Sequence, residues 1–136
     1  ETYLAEIDTT RKEITAALAA IPQDKRIIAT THDALAYFAK ENGFTLASVQ
    51  GVSTDAEPSA KDVARIIRTI RNAKAQAVFV ENMTNPKLMS EIARETGAKI
   101  GGTLFSDSLS DEKGSAPTYI RMMKHNAKAL AEALKP

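Results

Sequence analysis

The sequence predicts an α/β domain built on a four-stranded parallel sheet, strand order 2-1-3-4, with helices on both faces. Three observations carry this expectation. Four short segments, residues 26–31, 46–52, 77–80 and 99–104, are largely apolar along their length. The stretches around them repeat apolar residues at intervals of three and four, the period of a helix with one buried face. The two kinds of segment alternate along the chain. Short apolar strands separated by helices form parallel sheets covered on both faces. Right-handed crossovers then leave 2-1-3-4 as the expected order.

Composition bounds the function before any motif does. A chain of 136 residues can bury one core of its own. Its 43% hydrophobic and 26% charged residues are ordinary for a globular protein. A net charge of +1, with both signs interspersed along the helices, gives no electrostatic basis for binding nucleic acid or an anionic membrane. The absence of cysteine excludes disulfides and thiolate metal sites. No apolar run is long enough to span a bilayer, so this segment is not expected to insert into a membrane. No basic, then apolar, then small-residue leader is present, which fits a cytoplasmic protein or one whose leader is removed.

Leu4, Ile7, Ile14, Leu18 and Ile21 form the stripe of a first helix over residues 1–21. No capping residue precedes it, so it is expected to run in from an earlier segment. Pro22 and the polar residues 23–25 end it. Strand one, 26–31, is followed by a helix over 33–42 that turns Leu35, Phe38 and Ala39 inward and stops at Gly43. Strand two occupies 46–52. After a loop over 53–58, Ser59 and Asp62 have the spacing of a capping box for the third helix, whose stripe is Val63, Ile66, Ile67 and Ile70. Strand three, 77–80, ends at Glu81-Asn82. Asn85 and Pro86 are expected as cap and first-turn residue of the fourth helix, with Leu88, Met89 and Ile92 inward and Gly97 at its end. Strand four, 99–104, leads into a polar loop over 105–116 containing Ser106-Asp107-Ser108. A last helix begins near Pro117 and carries the stripe Ile120, Met123, Ala127, Leu130 and Leu134.

In open α/β sheets ligands bind beyond the carboxyl ends of the strands. The 2-1-3-4 order brings the ends of strands one, three and four to one edge, where they carry His32, Glu81 and Asp107. A neutral imidazole such as that of His32 can cap a helix, act as a base or give a lone pair to a divalent cation. Asp107 between two serines reads by itself first as an Asx turn, and as a metal ligand it would supply negative charge and one or two oxygens. The two together make half of the roughly four-ligand sphere that zinc requires. Glu81 ends a buried strand and needs a partner there; it can be a ligand, an acceptor that orients His32 from behind, or a group bonded to backbone amides, and the supporting roles are the expected ones. Asp33 suits the first turn of helix two, where its charge meets the positive end of the dipole. His125 falls off the stripe of the last helix and reads as an exposed bystander. A glycine-rich phosphate loop, a Gly-x-Ser-x-Gly elbow and a His-Glu-x-x-His motif are all absent. Gly101-Gly102 lies inside a strand and not at a strand-to-helix turn.

Several spaced motifs, in order, resemble one family. Thr31-His32-Asp33-Ala34, Tyr37-Phe38, Gly43, Glu57-Pro58-Ser59, Phe79-Val80-Glu81, Phe105-Ser106-Asp107-Ser108-Leu109 and Tyr119-x-x-Met122-Met123-x-x-Asn126 are similar to the carboxy-terminal lobe of the metal-specific substrate-binding proteins of ABC importers, the adhesin-like lipoproteins among them. The likeness covers nearly the whole chain. It implies two α/β lobes joined by one long rigid helix, with a metal held between them by two side chains from each lobe. Residues 1–22 would then be the end of the linking helix and 23–136 the carboxy-terminal lobe. By position in the motifs, His32 and Asp107 would be this lobe's two ligands.

The implied activity is capture, not catalysis. The ion would be closed off between lobes and delivered to the permease subunit of the importer, in the periplasm or an equivalent extracytoplasmic space. Partners would be the missing amino-terminal lobe and that permease. A histidine at position 32 favours Zn2+ over Mn2+, because imidazole suits zinc and carboxylate suits harder ions. With half the ligands, this fragment alone would bind the ion weakly or not at all. Two rival readings are a small flavodoxin-like enzyme using His32 with Asp107 or Glu81, and a ligand-free interaction domain.

Overall fold

The computed structural model describes residues 2–31, 34–48, 58–82 and 86–136. Helix α1 (Tyr3–Leu18) is followed by a 3-10 turn (Gln23–Lys25) and strand β1 (Ile27–Thr30). Then come α2 (Ala36–Asn42), β2 (Thr45–Ser48), α3 (Ala60–Ala73), β3 (Ala77–Glu81), α4 (Lys87–Thr96), β4 (Lys99–Leu104) and α5 (Tyr119–Leu134). The α/β class and the alternation expected from the sequence are both present. Parallel ladders join β1 to β2 and β3 to β4. β1 also lies against β3, the adjacency that order 2-1-3-4 requires. No ladder joins those two strands among the described residues, so the expected single sheet is observed as two parallel pairs side by side.

Side-chain alternation divides the core into two layers. Ile28, Ala77 and Phe79 face α1 and α5, where they meet Ile14, Leu18, Ala127, Leu130 and Leu134. Ala29, Ala47 and Val78 face the other way, against Ile66 and Ile70 of α3 and Met89 and Ile92 of α4. Most of the stripes read from the sequence are these buried faces, but at the start of α1 the stripe fails: Leu4 is 76% exposed and Ile7 half-buried, and along that stripe full burial begins at Ile14.

Local chemistry sets the element ends. Thr2 caps α1 by accepting a hydrogen bond from the Ala5 amide at 3.2 Å, so the helix expected without a cap has one. Gly43 and Gly97 terminate α2 and α4 in the left-handed conformation, with φ of 73° and 76°. Ser59 and Asp62 form the reciprocal capping box of α3. The Ser59 hydroxyl and then its amide bond the Asp62 carboxylate and hold its pKa below the usual value. α2 begins three residues later than expected, after Leu35. Pro86 stands at the cap position of α4 and not inside its first turn. Arg26 ties two helix ends together: its guanidinium donates to the carbonyls of Leu18, Ile21 and Asn42 at 3.0, 3.2 and 2.9 Å and lies over the Phe44 ring. The Leu18 carbonyl also accepts from the Ile21 amide at 3.0 Å, so Arg26 adds a second bond there and closes the chain just past the ends of α1 and α2.

One irregularity positions everything downstream. Val78 pairs with Ile100, but Val80 pairs with Thr103, so Phe79 faces two residues, Gly101 and Gly102. Gly102 has φ of 133°, and a Cβ on Gly101 would stand 2.7 Å from both the Phe79 ring and Ala133. Only glycine fits this pair. A one-residue slip moves later side chains to the opposite face. Leu104 therefore joins the α1/α5 layer and not the layer that holds Val78, the partner of Ile100.

Candidate metal centre

The carboxyl ends of β1, β3 and β4 form a polar rim over an apolar body. Thr30 and Thr31 are buried at the end of β1. Glu81, the last residue of β3, is 0% exposed. Ser106 and Asp107 follow β4, with Ser106 partly buried and Asp107 exposed. The hydroxyl oxygens of Thr31 and Ser106 are buried and make no hydrogen bond among the described residues. Buried polar atoms of this kind are costly unless a partner is supplied. His32 and Asp33 lie outside the described residues, as do Glu57 and Asn85. Of the expected site, the structure thus describes Glu81 and Asp107. Among the described residues no three His, Asp or Glu side chains gather into a cluster able to hold a metal.

The loop that carries Asp107 is held from two sides. Asn126 of α5, 3% exposed, grips the backbone of Phe105: its Oδ1 accepts from the Phe105 amide at 2.9 Å and its Nδ2 donates to the Phe105 carbonyl at 2.8 Å. One residue earlier on the same helix, His125 donates through Nε2 to the Thr103 carbonyl at 2.9 Å and meets the Phe105 ring edge-on at 5.1 Å. His125 is therefore no bystander. It flanks the buried stripe closely enough for its ring to reach β4. From the β3 side, the Asn82 amide donates to the Leu104 carbonyl at 3.0 Å, extending the ladder by one step. The Asn82 side chain then spans Asp107. Its Oδ1 accepts from the Ser106 amide at 3.4 Å, and its Nδ2 donates to Ser108 Oγ at 2.8 Å. The serines flanking Asp107 are thus partners of one carboxamide. The asparagines' role was not evident beforehand, although an asparagine ending the strand beside a Ser-Asp-Ser run was a usable signal.

A cleft of about 420 Å³ opens between α1, α2 and α5. Its walls are Ile14, Leu35, Phe38, Met123, Asn126 and their neighbours, and neither Asp107 nor Glu81 lines it. This cleft has a mixed polar and apolar lining and reaches the rim at Ser106 but not at its carboxylates. No helix among the described residues is long and apolar enough to cross a membrane.

Comparison with known proteins bears on the family and the fold. A family profile described as zinc-uptake complex component A, periplasmic, matches residues 1–133. The manganese-binding lipoprotein MntA of Bacillus subtilis is 37% identical over 130 residues, which cover 92% of this chain and 41% of that protein. The zinc-binding protein TroA of Treponema pallidum is 32% identical over 139 residues, covering 98% and 45%. The iron-binding protein YfeA of Yersinia pestis is 31% identical over 132 residues, covering 97% and 42%. Among solved structures, the periplasmic zinc-binding protein TroA superposes with a TM-score of 0.93 at 31% identity, over 98% of this chain and 50% of its own. The chain spans about half the length of these relatives, or less.

Proposed function

We propose, from the premise that this chain belongs to the periplasmic zinc-uptake component A family, that it is one lobe of a two-lobed receptor that captures a divalent transition metal for an ABC importer. The family is one of substrate-binding proteins, not of enzymes, and the flavodoxin-like enzyme reading is set aside. In this reading residues 1–22 end an interlobe helix and residues 23–136 are the carboxy-terminal lobe. His32 and Asp107 supply two of four ligands, and Glu81 supports His32 from the end of β3. The partners are an amino-terminal lobe and a permease subunit, in an extracytoplasmic setting. The metal is zinc in preference to manganese. Relatives named for manganese, zinc and iron leave that choice to the donor set, and an imidazole at position 32 suits zinc better than a second carboxylate would.

The observation that carries the reading is the loop of Asp107. An exposed carboxylate stands at the carboxyl end of a central-layer strand, on a backbone fixed by two asparagines. Preorganised ligands on rigid elements suit tight capture. A closed four-ligand sphere suits a carrier, whereas a hydrolytic site keeps a position open for water.

Zinc titration of the two-lobed protein tests this. Protein zinc sites of four ligands bind with apparent free energies of about 10–16 kcal/mol, so about 3 kcal/mol per ligand. Replacing His32 or Asp107 by alanine should therefore weaken binding by about 100-fold. Unchanged affinity in either variant removes that residue from the site. Manganese competing on equal terms with zinc would remove the zinc preference and leave the rest.

A further inference from the structure

We propose that Asn82 is a positioning residue for Asp107: its side chain sets the carboxylate in place by bridging the two serines on either side of it. This rests on the reading of Asp107 as a metal ligand. Three features support it. The bridge is reciprocal, because Asn82 accepts from Ser106 N at 3.4 Å and donates to Ser108 Oγ at 2.8 Å. It is anchored, because the Asn82 amide continues the β3–β4 ladder through the Leu104 carbonyl at 3.0 Å. It is also local to Asp107. The grip of Asn126 is on Phe105, whereas Asn82 bonds both residues flanking Asp107. A loop residue held on one side alone keeps freedom about its backbone dihedrals, and ordering it must then be met at the moment of binding. With Ser106 and Ser108 both held, that ordering is complete before the ion arrives. Partners standing behind metal ligands commonly change affinity by about 10–100-fold when lost.

The test uses the two-lobed protein, zinc as the probe, and three variants. Asn82→Ala removes the bridge and should weaken zinc binding about tenfold. Asn82→Asp keeps one oxygen for the Ser106 N–H and offers a second to the Ser108 hydroxyl, which turns from acceptor to donor, and should recover most of the loss. Asp107→Ala reports separately on the ligand assignment. Hydrogen exchange of the metal-free protein supplies a readout independent of zinc: Asn82→Ala should speed exchange at residues 105–109 and leave α3 unchanged. If Asp107→Ala binds zinc normally, the ligand reading falls, and the exchange result still decides whether Asn82 holds the loop. If Asp107→Ala is weak while Asn82→Ala binds like wild type, the positioning role falls and the ligand stands. Weakening by Asn82→Ala without faster exchange in the loop, or without recovery by Asn82→Asp, also overturns it.

Discussion

Replacing Asn126 by alanine tests whether the root of the Asp107 loop is held as the geometry indicates. The side chain makes two hydrogen bonds to one residue, from Phe105 N at 2.9 Å and to Phe105 O at 2.8 Å, while 3% exposed. Truncation leaves a backbone donor and acceptor without partners, at about 1–3 kcal/mol each. Two effects reduce the sum. Asn126 and Phe105 both line the 420 Å³ cleft, so water can reach the orphaned groups. Alanine is also the better helix former in α5, by about 0.5 kcal/mol. The net loss should be about 2 kcal/mol, well within the 5–15 kcal/mol of a typical domain, so the variant still folds. Urea unfolding followed by circular dichroism measures it, since the chain has no tryptophan to report by fluorescence. Asn126→Asp sharpens the test. One carboxylate oxygen still accepts from Phe105 N–H, while the other faces the Phe105 carbonyl and is repelled. The folded state therefore raises that carboxyl's pKa above its unfolded value, and the variant should regain stability as pH falls and the group protonates. A loss below about 0.5 kcal/mol in Asn126→Ala, or no recovery on acidification in Asn126→Asp, would refute the clamp.

Two further outcomes follow from the packing. Gly101→Ala places a methyl group 2.7 Å from the buried Phe79 ring and from Ala133 and should cost about 1–3 kcal/mol by overpacking, read as a fall in Tm. Gly97→Ala meets nothing within 4 Å and carries only its left-handed backbone penalty of about 1–2 kcal/mol; wild-type stability in Gly101→Ala would mean the bulge can be remodelled. Arg26→Ala removes three side-chain hydrogen bonds to carbonyls near the ends of α1 and α2 and should destabilise by about 2–3 kcal/mol. Arg26→Lys should restore only part of this, because an ammonium cannot reproduce the planar fork; full restoration would show that charge alone suffices.

Much of the fold was legible because it rests on periodicity. The stripe Ile66 and Ile70, the capping box of Ser59 and Asp62, and the stops at Gly43 and Gly97 are local signals, and each appears where the sequence puts it. What local pattern cannot encode is contact across the chain. Arg26 reads as a polar residue opening a strand, yet it serves two helix ends. Asn82 and Asn126 lie 44 residues apart by their numbering and meet only through the segment that follows β4. His125 reads as exposed from its place on the helix, because nothing nearby in sequence indicates the Thr103 carbonyl within its reach.

The Gly101-Gly102 pair links these levels. Read alone, it excluded a phosphate loop and suggested nothing else. In the sheet it adds one residue to β4 opposite Phe79 and so turns Leu104 from the α3/α4 layer to the α1/α5 layer. Leu104 then lies in the layer of α5, and the next residue, Phe105, is held by that helix through Asn126. The following serines come within reach of Asn82. If the same residues paired regularly, with no bulge, Glu81 would face Thr103 instead of Leu104, and the loop would leave the strand one step out of phase with both asparagines. The placement of Asp107 thus depends on two glycines inside β4. Changes at Gly101 should consequently lower metal affinity as well as stability, whereas changes at Gly97, on the far end of α4, should lower stability alone.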